Sequence, residues 1–205
     1  MALVRTFRLP HLEDYPVQVA LFKNVTNATF LRSQLLAANP DFDYAFLDAT
    51  MILSPLPLLL TTSLTLQAYL SSTLRTRTPH SELVFRLHPN NNIGESYRKF
   101  GISDTTTHLI AIKLSLPPTE VTNESVSKHL AEVVEGESVP IGDEGEELGL
   151  WADVAKIRKI YKLNDGGKGR AKGKREVAVN GGARVRDEKK EMESVIMGIM
   201  VLKGT

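Results

Sequence analysis

The sequence predicts an α+β fold: a small, mostly antiparallel sheet with helices packed around it in a single domain. Two observations carry this reading. Segments of strand-like alternation mix with segments of helical spacing, without the regular strand–helix–strand rhythm that builds a parallel sheet. A length of 205 residues with 42% hydrophobic side chains suits one sizeable core. The expected organisation is a core over residues 1–163, a flexible basic Gly/Lys/Arg insert over 164–186, and a C-terminal helix over 187–205 that packs back on the core.

Residues 4–9 alternate polar and apolar side chains and read as a strand. Residues 17–22 read as the next strand, after a turn at Glu13 and Asp14. Thr26 and Asn27 offer an N-cap ahead of Phe30, Leu31, Leu35 and Leu36 at helical spacing, and Asn39 with Pro40 stops that helix. Residues 44–53 are apolar and ambiguous, a short helix being one reading. Ser54 and Pro55 start a long helix expected to reach about residue 74, because Pro in a first turn lacks only an N–H that has no helical partner anyway. Leu83, Phe85 and Leu87 alternate with Val84, Arg86 and His88, which predicts a strand and leaves His88 on an exposed turn. Asn92 followed by Glu95 matches a capping box, so a helix is expected over 93–100, closed by Gly101 in the left-handed conformation. A strand over 108–114, a helix from Thr122 and Asn123 to Gly136, an acidic loop over 136–147 and an amphipathic segment over 150–163 complete the core.

Composition excludes several function classes. Net charge is +1, so nucleic-acid contact has to come from a local patch rather than bulk charge. The absence of cysteine removes disulfides, thiolate metal sites and a thiol nucleophile. Residues 1–10 carry Arg5 and Arg8 inside their apolar stretch, unlike a secretion signal, and residues 51–74 are too punctuated by Pro, Thr and Ser for a membrane span. A soluble intracellular protein without membrane contact is expected.

Catalytic patterns are not found in the sequence. No phosphate loop follows a strand, and Gly166, Gly167, Lys168 and Gly169 lie in the basic insert, where a flexible tether is the simpler reading. None of the five histidines pair at metal-ligand spacing, and Glu144, Glu146 and Glu147 fall in a solvated acidic loop. No enzyme, metal site or cofactor is expected. The distinctive feature is Asn90, Asn91 and Asn92 just before a helix start, whose free N–H groups attract anions. The alternative is that Asn92 only caps the helix while Asn90 and Asn91 make the turn.

Several runs carry a family resemblance. Thr76-Arg77-Thr78, then residues 81–87 (Ser-Glu-Leu-Val-Phe-Arg-Leu), then Pro89-Asn90-Asn91-Asn92-Ile93, and finally Lys99-Phe100-Gly101-Ile102-Ser103 resemble the kinase-binding subunits of the KEOPS/EKC complex, the family of the human PRPK-binding protein. Residues 21–25 and 157–163 resemble it too. The basic insert departs from the human pattern and is similar to expansions in fungal members. The resemblance implies a non-catalytic subunit that binds the amino-terminal lobe of a small atypical kinase/ATPase. Through that kinase it would meet the threonylcarbamoyl-transferase subunit. It also implies help in recruiting tRNA by the 3′ CCA end, for modification of the adenosine beside the anticodon. Location in nucleus and cytoplasm, with ties to telomeric chromatin and transcription, follows from the same likeness. A free-standing RNA-binding module is the alternative, against which the low net charge speaks.

Two sets of site residues are expected. Asn90, Asn91 and Asn92 with Arg77, Arg86 and Arg98 form the candidate tRNA patch. Val195, Ile196, Ile199 and Met200 span more of a helix circumference than one packing stripe requires and form the candidate kinase-docking face. The competing reading of these four is a helix wedged into its own core.

Overall fold

The computed structural model describes residues 1–118, 121–142, 146–163 and 181–203. Its strands are β1 (Val4–Phe7), β2 (Val17–Lys23), β3 (Ala45–Asp48), β4 (Leu109–Leu114) and β5 (Glu137–Val139). The helices are α1 (Ala28–Leu36), α2 (Pro55–Leu70), α3 (Pro79–Leu87), α4 (Ile93–Phe100), α5 (Asn123–Val133), α6 (Glu146–Trp151), α7 (Val154–Tyr161) and α8 (Gly181–Leu202). The sheet runs β1-β2-β4-β3, and every pairing is antiparallel. β1 covers β2 from Val17 to Ala20, and β5 takes over the same edge from Leu21 to Lys23. The α+β fold expected from the sequence is the fold observed. No helix among the described residues is long and apolar enough to cross a membrane.

Both faces of the sheet are buried. Val17, Val19 and Leu21 of β2 point into one core with Ile110 and Ile112 of β4, while Ala20, Phe22, Leu109 and Ala111 point into the other. The first core is closed by α2, α3, α7 and α8, and the second by α1 and α5. Burial on both sides explains why β2 and β4 are nearly continuous apolar runs.

The structure corrects the sequence at several elements. The predicted strand over 83–88 is helix α3. Thr78 accepts a hydrogen bond from the Ser81 N–H at 3.1 Å, and Pro79 occupies the first turn. Leu83, Val84, Phe85 and Leu87 are all buried, and so are the polar His80 and Glu82, so the polar positions of the helix do not mark a solvent face and its sequence mimics alternation. His88, expected on an exposed turn, is 5% exposed. Residues 44–53, ambiguous in sequence with a short helix as one reading, hold strand β3 and then a single 3-10 turn. Gly101 is extended, with φ −73° and ψ 165°, not left-handed. It is needed for closeness instead, since a Cβ there would lie 2.7 Å from the Tyr97 carbonyl oxygen. The acidic loop expected over 136–147 contains β5 and the start of α6. Residues 164–180 of the expected basic insert lie outside the described residues, while α8 already begins at Gly181, ahead of the predicted Asp187.

Candidate nucleic-acid groove and docking face

The helix over 93–100 forms as its cap predicts. The Asn92 side chain accepts from the Glu95 N–H at 3.0 Å. Glu95 does not close the box, because its carboxylate pairs with Arg98 at 2.8 Å. The preceding Asn residues are tied down differently. The Asn90 N–H donates to His88 Nδ1 at 3.1 Å, and Asn91 Oδ1 accepts from Arg75 Nη1 at 3.2 Å. Arg86 is turned away from Arg77 and Arg98: its Nε donates to the fully buried Glu82 at 2.9 Å. The six residues expected in one tRNA patch thus divide. Arg77 and Arg98 line a groove, while Asn90, Asn91, Asn92 and Arg86 lie on the adjoining turn and at the end of α3.

That groove has a volume of about 1180 Å³. Its walls come from α1, from the segment leading into β3, from the start of α3, from α4 and from the end of β4. Tyr69 and Tyr97 supply aromatic surface, Tyr97 being 37% exposed. Arg32, Arg77, Arg98 and Lys113 supply positive charge. Arg32 donates to both carboxylate oxygens of Asp104, but Arg77 has no ion pair among the described residues.

A polar network lies on the groove floor. His80 is 4% exposed, and its Nε2 accepts from the Leu114 N–H at 3.0 Å. The proton of the neutral ring therefore sits on Nδ1. Nδ1 stands 3.0 Å from Asp43 Oδ1, but the two are not aligned as a hydrogen bond. Burial pushes His80 below its ordinary pKa, keeping it neutral. Burial lifts Asp43, yet the contact with His80 and the charge of Lys113 hold its carboxyl below the usual value. Lys113 donates to the Asp43 carbonyl at 2.6 Å and lies over the Tyr44 ring at 4.8 Å, its pKa lowered by burial. Aromatic faces beside arginine and lysine charge, tempered by the carboxylates of Asp43 and Asp104, suit a splayed single-stranded nucleotide, which is held by stacking plus phosphate contact.

Helix α8 shows two faces. Met192, Ile196 and Met200, spaced by four, are buried on α2 and α7. The Thr61 hydroxyl donates to Met200 Sδ at 3.2 Å. The opposite side exposes Val195 at 49%, Val201 at 45% and Leu202 at 71%. Of the four expected docking residues, Ile196 and Met200 are core, Ile199 is half-buried and Val195 is open. The wedged reading holds for one side of the helix and leaves an apolar outer side.

A family model described as kinase binding protein CGI-121 matches residues 22–204. The chain belongs to the CGI-121 family. A relative in Phaeosphaeria nodorum, named EKC/KEOPS complex subunit CGI121, is 58% identical over 100% of both chains. One in Aspergillus fumigatus, named EKC/KEOPS complex subunit cgi121, is 42% identical over 98% of this chain and 97% of its own. One in Candida albicans, with the same type of name, is 33% identical over 77% of this chain and 84% of its own. The resemblance seen in the sequence is the family found.

Sequence reasoning on this CGI-121 member missed Tyr97, Lys113, Asp43 and His80. Each comes from a different segment, and only folding gathers them. One signal was available: Asp43 and Tyr44 are a polar and an aromatic side chain at the mouth of an otherwise apolar run.

Proposed function

We propose that this chain is a non-catalytic KEOPS/EKC subunit that docks on the small atypical kinase/ATPase subunit and holds the single-stranded end of tRNA. The observation that carries the RNA half is the groove between α1 and α4, where Tyr69 and Tyr97 stand among Arg32, Arg77, Arg98 and Lys113. Stacking and phosphate neutralisation are the two requirements of single-strand binding, and both residue types line one concave surface. The 3′ CCA end is the strand this reading assigns to it. The kinase half rests on the outer side of α8, where Val195, Val201 and Leu202 stay exposed after Ile196 and Met200 have filled the core. Through the kinase the chain meets the threonylcarbamoyl-transferase subunit. It works where that complex works, in nucleus and cytoplasm, and its telomeric role follows from the same assembly.

The test is co-purification of the tagged chain from fungal cells, followed by reconstitution. Recovery of a small kinase and a transferase subunit is the expected result. Val195→Asp with Leu202→Asp should lose the kinase while the variant stays folded, and Tyr97→Ala should weaken tRNA binding while keeping the kinase. Recovery of RNA without any kinase would replace this reading with a free-standing RNA-binding module.

A further inference from the structure

A second cationic cluster stands on the far side of the Asn turn from the groove, centred on Glu82. The Glu82 side chain is fully buried. Its Oε2 accepts from the backbone N–H groups of Arg75 and Thr76, both at 2.9 Å, and from the Thr76 hydroxyl at 3.0 Å. Its Oε1 accepts from Arg86 Nε at 2.9 Å. Four donors satisfy this carboxylate.

The cations around it are not neutralised in turn by other carboxylates among the described residues. Arg86 gives only Nε, so its terminal amines hold no hydrogen bond among the described residues, although the side chain is only 11% exposed. Lys203 donates to the carbonyls of Phe85 and His88 and lies 3.7 Å from the centre of the Phe85 ring. Arg75 reaches Asn91. Among the described residues, three cations stand against one carboxylate, an excess of two positive charges, with Arg86 and Lys203 partly buried and Arg75 exposed. Burial, and then the charge of Arg86, push Lys203 down to about 8, with Glu82 pulling the other way and Arg75 adding to the fall. Excess positive charge beside the unpartnered terminal amines of Arg86 favours an anion there.

We propose that Arg75, Arg86 and Lys203 bind a backbone phosphate of the RNA strand whose bases occupy the groove, an inference that rests on the groove reading above. Continuity of the surface decides for RNA. Asn91 holds Arg75, and the next residue, Asn92, places its Oδ1 3.5 Å from the point where a Gly94 Cβ would stand. Arg98 Nη2 lies 3.9 Å from that same point, and Gly94 and Arg98 both line the groove. Cluster and groove are two sides of one short turn, so a strand leaving the groove over the turn arrives at the free guanidinium edge of Arg86. A planar edge with parallel N–H donors matches two phosphate oxygens. The Asn run then has a physical role: it is the low polar saddle the strand crosses.

The experiment measures binding of a short fluorescent single-stranded RNA to the full chain across a salt series. Arg75→Gln and Lys203→Gln are compared with Tyr97→Ala. Arg75→Gln keeps the backbone N–H that Glu82 needs. We expect both cluster variants to weaken binding and to lower the slope of log K against log salt by about 0.7, the amount for one phosphate no longer neutralised. Tyr97→Ala should weaken binding at unchanged slope. If Tyr97→Ala weakens binding but the cluster variants leave slope and affinity untouched, the phosphate site is refuted and the groove stands. RNA binding indifferent to all three refutes both. Cluster variants that lose the kinase and keep the RNA assign the cluster to an acidic side chain of that partner, which also overturns the proposal. A readout on the unaltered protein avoids dependence on variant folding: the NMR titration midpoint of the Lys203 side chain should rise when RNA is added, and an unmoved midpoint would count against the site.

Discussion

Gly101 and Lys203 each answer to forces that local sequence does not display. A methyl group at Gly101 would meet the Tyr97 carbonyl at 2.7 Å, and that oxygen belongs to backbone that closes α4. Gly101→Ala should therefore lower stability by about 1–3 kcal/mol, read from urea denaturation, with no need to invoke a left-handed turn. Lys203 has its folded pKa near 8, below its ordinary 10.5. Between those values the unfolded chain binds the extra proton and the folded chain does not, so stability rises with pH across that window. Lys203→Met should flatten this rise in denaturation curves collected over the same pH range. A half-exposed amine is partly screened by solvent, so the effect is modest in size.

At the scale of elements, α3 and α8 show how burial on several sides changes what a helix looks like in sequence. α3 keeps Glu82 inside the protein only because the chain at Arg75 and Thr76 folds over it and Arg86 pairs with it. Glu82→Ala should free a half-buried Arg86 and release residues 75–76, costing about 3 kcal/mol, measurable by thermal melting and by faster amide exchange in that segment. In α8 the adjacent positions Val195 and Ile196 belong to different environments, 49% and 2% exposed. Ile196→Asp should unfold or severely destabilise the chain by several kcal/mol, because it buries an unpaired charge. Val195→Asp should leave the melt nearly unchanged and weaken only capture of the kinase, measured side by side on the same preparation. Equal melts for the two variants would contradict the placement of α8.

Across the whole molecule, the groove exists because β3 is a sheet edge. Helices α1 and α4 flank that edge from opposite layers, and the Leu47–Gly101 bridge holds the start of the following segment against it. A base resting on Tyr97 should contribute about 1–3 kcal/mol to RNA affinity, so Tyr97→Ala is expected to raise the Kd for single-stranded RNA by roughly ten-fold or more in filter binding. Local sequence was enough for the strands β2 and β4, the Asn92 cap of α4, the amphipathic α8 and the family, because spacing, caps and short motifs are properties of neighbouring residues. Packing in three dimensions set the rest. It made the 83–88 segment helical, since burial of the polar His80 and Glu82 along with the apolar residues hides the contrast that would reveal the helical period. It sent Arg86 to Glu82 rather than to the groove, and it divided Val195 from Ile196 between outer surface and core. Asp43, His80, Tyr97 and Lys113 lie far apart along the chain and line the same cavity. Their juxtaposition is set by which helices close which face of the sheet, a long-range choice that spacing along the chain does not encode.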